Sequence, residues 1–127
     1  MDFSLSASAQ TMLLRLQDFV QAEVLPREAE YFAALCGSSD HRKWRQPVVM
    51  ETLKEKARSA GLWNLFLPDP HHGPGLSTLE YAPLAEAMGW SFLLPEIFNC
   101  NAPDSGNMEV LHRYGSVEQK ARWLLPL

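Results

Sequence analysis

Apolar residues recur at helical spacing from the beginning of the chain. Over residues 8–35 the side chains between them are mostly polar, and the apolar positions are Leu13, Leu16, Phe19 or Val20, and Val24. Spacings of three and four residues place such side chains on one face of a helix. Pro26 lacks an N–H and clashes with the preceding turn, so it predicts that this first helix kinks or splits.

A second helix is predicted after Pro47, which suits a first helical position. Its apolar residues follow at spacings of four, four and three: Val49, Leu53, Ala57 and Ala60. Gly61 is placed to end the helix in a left-handed conformation. The apolar run at residues 62–67 has no second run to pair with as a strand, so it predicts a buried connector.

Capping signals mark two further helices. Ser77 with Glu80, and Ser116 with Gln119, have the spacing of a capping box. The first of these helices is predicted to end at Gly89, with an apolar face made by Leu79, Ala82, Leu84, Ala85 and Met88.

Two prolines mark the remaining helices. Pro95 and Pro103 each suit the first turn of a helix, and Gly115 ends the second of these. The sequence therefore predicts one all-α domain, a bundle of five or six helices with no sheet, over residues 1–127. The aromatic residues are expected mainly in its core, namely Trp63, Phe66, Trp90, Phe92 and Phe98.

Composition narrows the functional classes. The 127 residues are 46% hydrophobic and 20% charged, as in an ordinary globular domain. A net charge of −4 without a basic cluster argues against nucleic-acid binding. The apolar runs are too short to span a bilayer, and no signal peptide is evident. Two cysteines form no disulfide framework, so a reducing, cytoplasmic location is expected.

Two groups of residues could carry chemistry, and both favour a structural interpretation. Asp69, His71 and His72 suggest metal ligation, but adjacent histidines point apart and a metal needs three or four convergent ligands. A solvated loop is favoured, and no metal ligand is predicted. Cys100 near His112 suggests a nucleophile and its base, but nothing nearby lowers the thiol pKa, so a buried structural cysteine is favoured.

Two long stretches resemble the N-terminal helical domain of the acyl-CoA dehydrogenases. They are GLWNLFLPDPHHGPGLSTLEYAPLAEAMGWS, residues 61–91, and PEIFNCNAPDSGNMEVLHRYGSVEQKARWLLPL, residues 95–127. The segment FNCNAPDSGNMEVLHRYG resembles the long-chain branch whose animal members are fused to a phosphotransferase-like kinase domain. One departure is HGPG, residues 72–75, where the family usually has two adjacent glycines before a third.

The resemblance implies that the chain is part of a larger enzyme. Family members continue into a β domain with most of the flavin contacts and a C-terminal helical domain with the catalytic glutamate; both are missing here. The apolar ending ARWLLPL also suggests a cut chain. No catalytic or cofactor-binding residue is therefore predicted. FAD is expected in full-length members and not on this chain alone, and whether the chain is itself an enzyme stays open.

The resemblance also implies what this part contributes. In the family reaction a glutamate removes the α-proton of an acyl-CoA while flavin N5 accepts the β-hydride. The helices around residues 98–108 would line one side of the acyl pocket, so this chain would supply a wall and not the reactive groups. The implied pocket and rim residues are Phe98, Asn99, Cys100, Asn101, Asp104, Asn107 and Met108.

Two other functional classes stay open. The chain could be a stand-alone helical interaction domain that pairs with another chain, or a small acyl-CoA-binding module. Titration with acyl-CoA separates them, because a carrier binds it alone. The partner expected in the full-length context is the acyl-CoA substrate, and association of two copies through the exposed cut face is also expected.

Overall fold

A computed structural model describes residues 4–127, in which every regular element is helical and no strand occurs. Residues 1–3 of the predicted domain lie outside this range. The helices are α1 (Ala7–Phe19), α2 (Leu25–Leu35), α3 (Val48–Ser59), α4 (Thr78–Met88), α5 (Leu94–Ile97), α6 (Asp104–Tyr114) and α7 (Val117–Gln119). Two π-helical stretches, Val20–Val24 and Lys120–Leu124, join α1 to α2 and extend α7. α1, Val20–Val24 and α2 form one continuous helix, the first rod, over residues 7–35. Apart from a 3₁₀ turn at His41–Lys43, the described residues thus form six helices, and the predicted all-α fold is confirmed.

The first rod changes its hydrogen-bonding pattern just before Pro26. Within Val20–Val24 the bonds reach back five residues, so the Leu25 N–H donates to the Val20 carbonyl. Pro26 then occupies the first turn of α2, where a missing N–H leaves no helical bond unmade. The predicted kink is thus a change of helical register that lets the rod continue past the proline.

The core lies where the long helices meet. Leu16, Val20 and Val24 are buried on the first rod, as predicted. This rod packs on α4, and α3 packs on both α2 and α5. The 62–67 segment is the predicted buried connector: its three leucines, Leu62, Leu65 and Leu67, are at most 1% exposed. Burying such a side chain contributes roughly 1.5–3 kcal/mol, so this segment is central to stability.

The capping predictions are confirmed. Both capping boxes form, at Ser77 with Glu80 and at Ser116 with Gln119. Gly61 has a φ of 67°, the left-handed conformation expected after α3. Pro95 lies in the first turn of α5, whereas Pro47 and Pro103 lie one residue earlier than predicted, just before α3 and α6.

Two expectations about burial are wrong. The inward face of α4 is formed by Leu84 and Met88, while Leu79, Ala82 and Ala85 are exposed. Trp90 and Phe92 were expected in the core, yet they are 69% and 95% exposed. Both lie in the turn that follows α4, where the alternate residues Ser91 and Leu93 are the buried ones. Among residues 4–127 no helix is both long and apolar enough to cross a bilayer.

Candidate functional site

Two asparagines hold together the region that the resemblance singles out. Asn64 lies in the buried connector and Asn99 directly after α5, and both have positive φ, 53° and 55°. Asparagine tolerates this conformation better than most residues with a side chain. The backbone N–H of Asn64 donates to the Phe98 carbonyl at 3.0 Å, and the Asn99 Nδ2 donates to the Asn64 Oδ1 at 2.7 Å. The connector and the end of α5 are therefore fixed to each other.

The Asn99 amide also reaches two other parts of the chain. Its Nδ2 donates to the Leu127 carbonyl at 3.0 Å and lies 3.6 Å from the Met108 Sδ on α6. Asn64 in turn donates from Nδ2 to the His72 carbonyl at 2.9 Å. Since Asn99 is only 9% exposed, these bonds form in surroundings where an unmade bond is costly.

A cavity of about 290 Å³ lies beside this pair. Its wall comes from the connector, the 69–75 loop, α6 and the last residues of the chain, and it includes Asn64, Leu67, His72, Met108 and residues 124–127. A larger hollow of about 630 Å³ lies between the first rod and α3. That hollow is a shallow open groove lined by Glu23, Lys56 and neighbouring residues, and none of the seven implied pocket residues lines it.

The implied pocket residues differ in burial and in their contacts. Phe98 and Met108 are almost fully buried, and Phe98 packs edge-to-face on Phe19 with ring centroids 5.6 Å apart. Met108 lies in the wall of the cavity and Phe98 does not. The pocket role that the resemblance implies for both residues stays a prediction. The side chain of Asn101 donates to Glu96, which also pairs with Lys54 of α3.

The other members of the set lie on or near α6. Asp104 is in the first turn of α6, where a negative charge interacts favourably with the helix dipole. Asn107 is exposed. Pro103, the residue before α6, provides no side-chain cap. The rim role that the resemblance implies for Asp104 and Asn107 stays a prediction.

Cys100 has the environment of a structural thiol. Its Sγ donates to the Phe98 carbonyl at 3.3 Å, and burial raises the pKa of the thiol. A raised pKa leaves less thiolate, the reactive form, at neutral pH. His112, the base weighed for it from the sequence, contacts a different group.

His112 lies beside the loop that was expected to be solvated. The Oδ2 of Asp69 is 2.5 Å from the His72 Nδ1 and 3.7 Å from the His112 Nδ1. The Asp69 side chain is only 13% exposed, so the solvated-loop expectation is wrong for Asp69. The hydrogen bond from His72, helped by one from the His71 backbone N–H, holds the pKa of the Asp69 carboxyl below its usual value. Sequence reasoning weighed His112 only as a base for Cys100 and missed its place beside this loop, because His112 lies forty residues after His72.

The all-α fold agrees with a family that the sequence itself identifies. The sequence profile of the family "Acyl-CoA dehydrogenase, N-terminal domain" matches residues 6–127. The chain belongs to this family.

Particular relatives agree with that assignment. Over 128 residues the chain is 49% identical to "Acyl-CoA dehydrogenase family member 11" of Rattus norvegicus, covering 98% of this chain and 16% of that protein. It is 48% identical to "Probable acyl-CoA dehydrogenase FadE2" of Mycobacterium tuberculosis, covering 100% of this chain and 30% of that protein. A solved structure, "Structure of a putative acyl-CoA dehydrogenase from Mycobacterium abscessus", has a TM-score of 0.89 and 54% identity over 97% of this chain and 32% of that one.

Proposed function

We propose that this chain acts as the N-terminal helical part of a flavin-dependent acyl-CoA dehydrogenase. The observation that carries the proposal is the likeness to the Mycobacterium abscessus structure, a protein about three times longer in which the matching helices form 32% of the chain. The reaction proposed for the whole is α,β-dehydrogenation of an acyl-CoA. This chain contributes a wall of the acyl pocket and does not catalyse the reaction alone.

The cavity beside Met108 is the part of the wall that we assign to the acyl chain. Met108 and Leu67 give it apolar lining, and the Asn64–Asn99 pair fixes the relative positions of the segments that surround it. The proposed residues are those implied by the resemblance: Phe98, Asn99, Cys100, Asn101, Asp104, Asn107 and Met108. Of these, Phe98 acts from within the core, by supporting Asn99 and the end of α5.

We propose that this chain alone does not hold FAD. A pyrophosphate site uses free backbone N–H groups of a glycine-rich turn. The candidate turn in this chain is residues 71–75. Pro74 has no N–H, and the Gly73 N–H donates to the Asp69 carbonyl at 2.8 Å. A Cβ at Gly73 would lie 2.6 Å from the Asn64 carbonyl oxygen, so this turn packs against the protein.

Mixing the purified chain with FAD and a series of acyl-CoAs tests the proposal. The expected result is a colourless protein after gel filtration, with no acyl-CoA-dependent reduction of an artificial electron acceptor. Calorimetry is expected to show no saturable acyl-CoA binding, because the chain supplies only part of a pocket. Saturable binding without flavin would favour the acyl-CoA-binding module instead. A yellow protein that bleaches with acyl-CoA would mean that 127 residues suffice for the chemistry.

A further inference from the structure

Three potential metal ligands from two separate elements meet beside the cavity. Asp69 and His72 belong to the loop between α3 and α4, and His112 to the last turn of α6. One ligand atom from each lies within 4.8 Å of the other two. The two imidazole rings meet edge-to-face with centroids 5.7 Å apart. The fold thus provides the third convergent ligand that the sequence did not reveal.

The hydrogen bond between Asp69 and His72 leaves the nearby His112 side chain without a partner of its own. The Nδ1 of His112 is buried and has no hydrogen-bond partner among residues 4–127, yet it faces the same Asp69 oxygen at 3.7 Å. A buried polar atom without a partner destabilises the folded state. A ligand that accepts electron pairs from both imidazoles and from the carboxylate would remove this cost.

The loop is held in place by bonds that do not involve the ligand atoms. The Asp69 carbonyl accepts from the backbone N–H groups of His72 and Gly73, at 3.2 and 2.8 Å. The other carboxylate oxygen, Oδ1, accepts from the His71 N–H at 3.2 Å. Such bonds orient a metal-binding carboxylate and leave its second oxygen available. The His72 carbonyl is bound by Asn64, which fixes the loop to the connector.

We propose that Asp69, His72 and His112 bind a divalent transition-metal ion of the zinc class. Two imidazoles and one carboxylate suit such an ion, whereas Ca²⁺ and Mg²⁺ prefer oxygen ligands. Water completes the coordination, because the side chains of His72 and His112 are 36% and 29% exposed. The ion joins the loop to α6 at the rim of the cavity that His72 also lines.

Binding of the ion requires a small rearrangement of the ligand side chains. Ligand distances of about 2.0–2.2 Å from zinc place ligand atoms roughly 3.3–3.6 Å apart in a tetrahedral site. The Asp69 Oδ2 and the His72 Nδ1 are 2.5 Å apart, closer than two ligands of one ion, so the His72 ring must turn from this hydrogen bond. The 3.7 Å between the Asp69 Oδ2 and the His112 Nδ1 needs little change. We therefore expect the ion to stiffen the rim.

Titration of the tag-free, chelator-treated chain with ZnCl₂ tests this proposal. Calorimetry is expected to show one Zn²⁺ per chain, and thermal denaturation a higher Tm with Zn²⁺, since an ion that binds the folded state stabilises it. Titration with Co²⁺ is expected to give visible absorption bands. His72→Ala and His112→Ala are each expected to weaken Zn²⁺ binding about tenfold or more and to abolish the Tm increase.

His71→Ala is the matched control, because His71 is adjacent to His72 and exposed but contributes no ligand atom. It is expected to keep both the affinity and the Tm increase. Circular dichroism in EDTA checks that each variant folds. Should His112→Ala not fold, His72→Ala decides, since that side chain lies in the loop. The proposal is overturned if the parent chain takes up no Zn²⁺, or if a folded His72→Ala binds it as tightly as His71→Ala does.

Discussion

Asn99 is the residue on which the geometry of the candidate site depends most. Its side-chain nitrogen bonds the connector at Asn64 and the last residue, Leu127, and also contacts Met108. Its backbone takes a φ of 55°, which only a few residue types adopt readily. One side chain therefore connects segments that are far apart in the sequence.

Asn99→Ala is expected to lower the free energy of unfolding of the chain by about 1–3 kcal/mol, because it leaves the part-buried Asn64 Oδ1 without its donor. Urea denaturation followed by circular dichroism measures this. Asn99→Gly removes the amide without straining the backbone, since glycine adopts a positive φ freely. It therefore separates the loss of the side-chain hydrogen bonds from backbone strain. The exposed control Asn107→Ala is expected to change stability by about 0.5 kcal/mol or less. An equal midpoint for Asn99→Ala and Asn107→Ala would contradict the assigned role.

Met108→Trp tests the wall within a longer protein. In a chimera that joins this chain to the remaining two thirds of the Mycobacterium abscessus relative, the indole is expected to fill the cavity and to reduce activity on long acyl-CoAs more than on short ones. Each methylene that no longer fits is worth about 1–3 kcal/mol of discrimination. Met108→Leu conserves volume and is the control. Equal losses on short and long substrates would indicate a folding defect instead.

Residue-level features were only partly accessible from the sequence. The segment at 98–108 could be singled out by resemblance, and the structural thiol of Cys100 by the absence of an activating group. The positive φ of Asn99 and the contacts of its side chain with Asn64, Met108 and Leu127 depend on tertiary structure that no local pattern encodes. His112 was missed for the same reason, since its neighbours Asp69 and His72 are brought to it by the return of the chain through α4 and α5.

At the scale of helices, the start of α4 is tied to the start of α1. Glu80 completes the capping box with Ser77, accepting from its backbone N–H at 2.9 Å. The hydroxyl of Ser6, which caps α1, donates to the other Glu80 oxygen at 2.5 Å. These bonds, first of all the one from Ser6, lower the pKa of the Glu80 carboxyl below 4.5.

This lowered pKa makes a prediction about pH. A carboxyl whose pKa is lower in the folded state stabilises the protein above its unfolded value of 4.5, and this contribution disappears as the pH falls through the folded pKa. The difference in urea midpoint between the parent chain and Glu80→Gln is therefore expected to be largest near neutral pH and to shrink below pH 4.5. Glu86→Gln, an exposed change on the same helix, is the control. A Glu80→Gln difference that does not vary with pH would contradict the argument.

The helices themselves were largely predictable, but their orientation was less so. Capping boxes and Gly61 act through neighbouring backbone groups, so the sequence contains the whole signal. The face of α4 was misjudged because apolar residues surround much of that helix, so periodicity selects no direction. Packing on α1 decides it, and Leu84 and Met88 turn inward. The exposure of Trp90 and Phe92 likewise depends on how the turn after α4 packs against the rest of the protein.

At the scale of the whole molecule, large apolar side chains remain on the surface. Trp90 and Phe92 lie in the turn after α4, and Val117 and Leu125 lie near the C-terminal end of the chain. All four side chains are more than half exposed. Exposed apolar patches favour association with another surface. Sedimentation velocity is expected to show weak, concentration-dependent self-association, and a Trp90→Ser, Phe92→Ser double variant to reduce it. A monomer at every concentration would contradict this prediction.

The measurement that tests the central proposal most directly uses the unmutated chimera. Residues 6–127 replace the matching segment of the Mycobacterium abscessus relative, and acyl-CoA-dependent reduction of an electron acceptor is compared for the parent, the chimera and the parent without its N-terminal segment. We predict activity in the chimera close to that of the parent and none in the shortened protein. A chimera that folds and binds flavin but does not oxidise any acyl-CoA that the parent oxidises would contradict the proposal that this chain forms a wall of the acyl pocket.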